Sequence, residues 1–301
     1  EITGALAACR DFSLLVPRGF IDRMEQGNLH DPLLRQVLPV GAEMLAEPGY
    51  TGDPVGESGA ANIHRGIIQK YRGRVLLVLA SGCAVNCRYC FRRHFPYSEN
   101  QNSQSEWLEA LHTIAADSSI AEVILSGGDP LLVSDQQLDQ LVQQIAAIPH
   151  VKRLRVHTRL PVVIPQRVTQ QLIGALLRPD LKTVMVIHSN HANELCDEVA
   201  AAMRDLSAAG ITLLNQSVLL AGVNDNSGVL AALSEKLFAI GVLPYYLHLL
   251  DKVRGAAHFD VPEERGRYLI GEITRQLPGY LVPRLVREIA GEGSKTGIPA
   301  L

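Results

Sequence analysis

The chain has 301 residues, 47% hydrophobic and 20% charged, enough to bury one large core. A net charge of −3 gives no sign of the basic surface that nucleic acid or an anionic membrane would demand, and no apolar run approaches the roughly 20 residues that span a bilayer. No secretory signal is read at the Glu1 end, and the five cysteines (Cys9, Cys83, Cys87, Cys90, Cys196) are odd in number with three crowded together, which points to a reducing, cytoplasmic setting with a metal or redox site.

Taken in chain order, residues 1–70 read as an irregular, partly helical region with turn-rich stretches (Glu47-Pro48-Gly49, Gly52-Asp53-Pro54) and one helix expected over 32–40. From Arg74 a rhythm sets in. Aliphatic runs at 75–80, 123–126, 154–157, 183–188, 212–219 and 245–250 alternate with helix-like stretches at 104–117, 134–147, 166–177, 192–209 and 226–239, and a last helix is expected over 263–276. Solid apolar runs are what strands of a parallel sheet covered on both faces show. Alternation with helices gives six βα units, two short of a closed eightfold barrel. The expected fold is α/β: a partial (βα)6 TIM-like barrel over 71–280, preceded by the partly helical region 1–70 and followed by a C-terminal segment, 281–301. In such barrels the reactive residues stand at the carboxyl ends of strands and in the loops that follow.

The segment Cys83-Ala84-Val85-Asn86-Cys87-Arg88-Tyr89-Cys90 directly follows the first barrel strand. Three thiolates are one short of a structural zinc site. They suit a [4Fe–4S] cluster with one iron left for a non-protein ligand. The residues alone leave open three buried cysteines, or a zinc site completed by His94. Ser126-Gly127-Gly128-Asp129 ends the second strand, where glycines permit close backbone approach. Cys9 and Cys196 match no pattern and read as ordinary thiols.

The three cysteines resemble the signature of the radical S-adenosylmethionine (SAM) superfamily, and Ser126, Gly127, Gly128 and Asp129 resemble its SAM-binding glycine-rich element. Cys87-Arg88-Tyr89-Cys90-Phe91-Arg92-Arg93-His94-Phe95 is similar to the lysine 2,3-aminomutase family. So are Asn215-Gln216-Ser217-Val218-Leu219-Leu220, Gly222-Val223-Asn224-Asp225, Pro244-Tyr245-Tyr246 with Asp251, and the glycine-rich run ending in Lys295-Thr296. The resemblance spans about 16–296. It implies a [4Fe–4S] cluster on Cys83, Cys87 and Cys90, SAM bound with help from His188 and Gln216, and pyridoxal 5′-phosphate (PLP) on Lys295, its phosphate held by Lys70, Tyr71 and Arg74. Lys70 stands where other members can carry arginine, and acts as a point charge rather than a fork. By the same resemblance Arg92 takes the carboxylate of L-lysine, while Asp251 and Glu288 take its ε-ammonium. Glu288 departs from the aspartate of the enzymes that act on free lysine.

The implied reaction is a PLP-dependent 1,2-amino shift started by the 5′-deoxyadenosyl radical, giving β-lysine. The segments 16–25, 91–97, 250–259 and 292–296 resemble the bacterial branch that makes (R)-β-lysine for elongation factor P, and the chain stops soon after Lys295, without the longer extension of the catabolic enzymes. That branch implies a pathway link to elongation factor P and its β-lysine ligase, and an electron donor of flavodoxin or ferredoxin type. A homo-oligomer is compatible with the sequence. Rival readings are a catabolic aminomutase for free lysine or glutamate, a PLP-independent radical SAM enzyme, and a non-catalytic zinc module. Asp251 and Glu288 argue against an anionic substrate side chain.

Overall fold

The computed structural model describes residues 2–59, 61–64, 66–97 and 104–301. Among these described residues, ten strands form one sheet in sequence order: β1 (Asn62–His64), β2 (Ile67–Ile68), β3 (Arg74–Ala80), β4 (Glu122–Gly127), β5 (Arg153–Thr158), β6 (Lys182–His188), β7 (Thr212–Val218), β8 (Leu243–His248), β9 (Arg284–Arg287) and β10 (Thr296–Gly297). From β3 to β9 every neighbouring pair is parallel, whereas β1, β2 and β10 pair antiparallel at the two edges. The six expected barrel strands are β3 to β8. β9 adds a seventh parallel strand from the C-terminal segment.

The helices between strands begin where the sequence supplies caps. Ser134 accepts from Gln137 N ahead of Asp135–Ala146, Thr169 from Leu172 N ahead of Gln170–Leu176, and Asn226 from Gly228 N and Val229 N ahead of Ser227–Ala239. Asp135–Ala146 buries Leu138, Leu141, Val142 and Ile145, the i, i+3, i+4, i+7 stripe of a helix with one covered face. That stripe shares a core with Val123, Leu125, Leu154 and Val156 from β4 and β5. The alternate residues of the same strands face the other way. In β5, Leu154 and Val156 are buried in that core while Arg155 and His157 border a cavity. Period-two alternation thus splits β5 between a hydrocarbon core and the cavity.

The expected helix over 32–40 is only one turn, Pro32–Arg35, capped by Asp31. Pro39 disfavours helical backbone at the residue before it, so the apolar run cannot continue as helix. A helix the sequence reading missed, Ile2–Asp11, packs Gly4 against Gly41, where an added Cβ would stand 2.7 Å from the Gly41 Cα. This N-terminal region grips the cysteine loop. The Arg88 side chain is fully buried, pairs with Glu43, and donates to Phe12 O (2.6 Å) and Ala8 O (3.2 Å). Arg93 reaches the same Glu43 at 3.0 Å. No helix among the described residues is long and apolar enough to cross a membrane.

Candidate active site

A cavity of about 500 Å³ occupies the inside of the open barrel. Every side chain predicted from sequence lines it: Cys83, Cys87 and Cys90; Ser126, Gly127, Gly128 and Asp129; His188 and Gln216; Arg92, Asp251 and Glu288; and Lys70, Tyr71, Arg74 and Lys295. They come from distant points of the chain, and the sheet assembles them.

The three cysteines stand on the loop after β3 and are free thiols. Burial, with Cys87 adding to it, pushes the Cys90 thiol up to about 11, and burial with the thiols of Cys90 and Cys87 raises Cys83 further. Metal ligation requires thiolates, so loading the site must release protons. Arg159 donates from Nη1 to Cys87 Sγ at 2.6 Å, and its guanidinium is held by Glu194 (2.9 Å) and Gln36 (2.8 Å). The glycines of the second motif have a visible cause. Gly127 has φ +132°, and a Cβ on Gly128 would lie 2.0 Å from the carbonyl oxygen of Gly82 in the cysteine loop. Asp129 ties the end of β4 to the end of β5, accepting from Thr158 Oγ1 (2.7 Å), Arg159 N (2.8 Å) and Leu160 N (3.0 Å). His188, at the end of β6, bonds Tyr89 Oη through Nε2 at 2.9 Å and stacks on its ring, and burial, then Arg159, depresses it to about 3. It is a neutral imidazole fixed to the cysteine loop.

The other wall carries opposed charges. Lys295 donates to Glu288 at 2.6 Å, Tyr71 Oη donates to the same carboxylate at 2.6 Å, and Lys70 lies 3.3 Å from it. Burial alone would raise Glu288, but Lys295 and Lys70 outweigh it and hold the carboxyl at about 2. Arg74 stacks over the Tyr71 ring at 4.5 Å, and its buried Nε has no partner. Arg92, next but one to Cys90, donates from Nη1 to Ser126 Oγ (2.9 Å) and Gly127 O (3.1 Å). Its Nε and Nη2 are taken by Glu57 at 2.6 and 3.0 Å. Burial pushes Asp251 up to about 7 against the pull of Lys295.

Sequence reasoning missed several of these residues. His157 and His248 border the cavity with buried, unpartnered Nε2 atoms, and burial keeps both neutral, with Arg155 and Lys295 respectively adding to the effect. Their signal was present: each is a polar residue two positions from another cavity-facing residue within a strand, Arg155 in β5 and Tyr246 in β8. Arg159 follows β5, where the barrel rule puts functional groups. Glu57 had no signal beyond being an acid in a turn-rich stretch.

The groups present fit the implied cofactors. Among the described residues no three His, Cys, Asp or Glu side chains are arranged to hold a single metal ion. Three free thiols bordering one cavity suit the larger body of an iron–sulfur cluster. Lys70, Tyr71 and the unpartnered Arg74 Nε offer a phosphate its donors close to Lys295.

A family model described as a 4Fe-4S single cluster domain matches residues 71–158, the span that includes the cysteine loop. The chain is 54% identical to the L-lysine 2,3-aminomutase of Escherichia coli (strain K12) over 98% of its own length and 86% of that protein. It is 52% identical to the enzyme of the same name from Haemophilus influenzae, over 97% of this chain and 86% of that one, and 33% identical to that of Clostridium subterminale, over 99% and 71%. On these near-full-length matches, with the thiols gathered at one cavity, the chain belongs to the L-lysine 2,3-aminomutase family of radical SAM enzymes, whose cofactors are a [4Fe–4S] cluster, SAM and PLP.

Proposed function

We propose that this chain converts L-lysine to (R)-β-lysine and that the product serves the modification of elongation factor P. The observation that carries the substrate reading is the polarity of the cavity. The Arg92 guanidinium sits on the cysteine side, bonded to Ser126 and Gly127, while Asp251 lies with Lys295 and Glu288 on the other. Lysine is a rod with a carboxylate at one end and an ammonium at the other, and it matches that polarity. Glutamate would bring its side-chain anion against Asp251 and Glu288. The elongation factor P branch rests on the resemblance of the segments at 16–25, 91–97, 250–259 and 292–296.

Each residue then has a task. Cys83, Cys87 and Cys90 hold the cluster, and Ser126, Gly127, Gly128, Asp129, His188 and Gln216 border the SAM site. Lys295 anchors PLP, and Lys70, Tyr71 and Arg74 bind its phosphate. When bound, the cluster and SAM supply the hydrogen-abstracting radical, and PLP supplies a π-system for the migrating amine. The neutral imidazoles of His157, His188 and His248 line the interior without adding charge to it.

The test is an anaerobic assay of reconstituted protein with SAM, PLP, dithionite and L-lysine, resolved by chiral chromatography. (R)-β-Lysine is expected, and L-glutamate is expected to be inert. Absence of β-lysine from a protein that carries both cluster and PLP rejects the reading.

A further inference from the structure

We infer that Glu57 is an internal carboxylate that competes with the substrate's α-carboxylate for Arg92, so that substrate must displace it in order to bind; this rests on the lysine reading above. Glu57 is 3% exposed and forms a two-pronged pair with Arg92, the arrangement a substrate carboxylate would make. It also lies 3.0 Å from Lys70.

The donor count decides between displacement and coexistence. A guanidinium has five N–H groups. Glu57 takes the one on Nε and one of the two on Nη2, and Ser126 Oγ and Gly127 O take both on Nη1. One N–H is left, too few for a second fork. A substrate carboxylate brought beside a retained Glu57 would also set two anions against one cation in a buried site. The chain presents Glu57 on a turn of its own making. Asp53 accepts from Glu57 N (2.9 Å) and Ser58 N (2.8 Å), and Gly56 takes φ +69°. A turn that is held by a side chain rather than by a strand ladder can swing its tip without breaking the sheet. The alternative is that Glu57 stays in place and merely orients Arg92, and it predicts the opposite response to mutation.

The experiment uses the full chain loaded with cluster and PLP, without SAM or reductant, titrated calorimetrically with L-lysine and with 1,5-diaminopentane, which is lysine without its carboxylate. In Glu57→Gln and Glu57→Ala the Kd for lysine is expected to fall about tenfold, the scale of one charge-assisted pair no longer surrendered on binding. The Kd for the diamine is expected to stay unchanged. An unchanged or weakened lysine Kd, an equal gain for the diamine, or loss of both ligands in both variants overturns the inference. Failure of the unmodified protein to bind lysine would instead reject the lysine reading, and this inference with it.

Discussion

Asp251 is the place where the substrate reading can be measured directly. Its carboxyl is raised from the ordinary aspartate value of 3.8 to about 7, with burial as the largest cause. That rise corresponds to ~4 kcal/mol of penalty for carrying the charge inside the cavity. An arriving ammonium relieves the penalty by pairing with the carboxylate, so Asp251→Asn forfeits a comparable sum. Allowing for incomplete relief, a loss of ~2–4 kcal/mol, roughly 30- to 1000-fold in lysine affinity, is expected. The assay is calorimetric titration of the PLP-loaded protein with lysine and with norleucine, which keeps the carboxylate and lacks the ε-ammonium. Norleucine is expected to be unaffected by the change. The pH dependence has a definite sign. Below about 7 the Asp251 carboxyl is protonated and cannot pair, so lysine affinity relative to norleucine should rise as pH climbs through that value. The dependence should vanish in Asp251→Asn. A lysine affinity that survives the substitution, or a norleucine affinity that falls in step with it, refutes the assignment of the ammonium to Asp251.

Lys295→Ala should abolish the PLP absorbance of the reconstituted protein while leaving the iron content and the broad cluster spectrum intact; an unchanged PLP spectrum rejects Lys295 as the anchor. Arg159→Gln removes a cationic N–H donor 2.6 Å from Cys87 Sγ and should shift the cluster midpoint to more negative potential at full iron content, with Arg159→Lys shifted less, as read by redox titration followed by EPR. Gly128→Ala forces a Cβ to within 2.0 Å of the Gly82 carbonyl, so the cysteine loop must move: a cost of ~1–3 kcal/mol in thermal unfolding and a loss of bound iron are expected. Gly174→Ala, whose Cβ meets nothing within 4 Å in its helix, is the control and should not destabilise.

The sequence made the barrel legible because its strands are long aliphatic runs with one face under helices. Val75, Leu77, Val123, Leu125, Leu154 and Val156 all sit in one buried core. The remaining strands carry too little signal. β2 and β10 are two residues each, and β9 offers only Leu285 and Val286 as buried residues. The cysteine spacing and the glycine pair were legible because they are local. The pairings of Arg92 with Glu57, and of Lys70 and Tyr71 with Glu288, were not, since they join distant residues that only the folded sheet brings together. Reading the strands as uniformly apolar also hid His157 and His248, which are visible once the alternate positions are separated.

The incompleteness of the barrel explains how one chain accommodates so many groups at once. In a closed eight-stranded barrel, inward side chains fill the interior in layers. Here, among the described residues, the parallel strands stop at seven, and the sheet ends in short antiparallel edges, β1 on one side and β10 on the other. The edges meet through side chains rather than a strand ladder: Glu288, just past β9, reaches Lys70 and Tyr71 beside the opposite edge. A ladder would have set the two edges about 4.7–4.9 Å apart, and long side chains span a wider gap. The same residues that bridge the gap are those assigned to the PLP phosphate and the substrate ammonium. On that assignment the seam of the open barrel and the proposed PLP site are one structure, and a ligand bound there would exchange the internal ion pairs of that seam for contacts of its own.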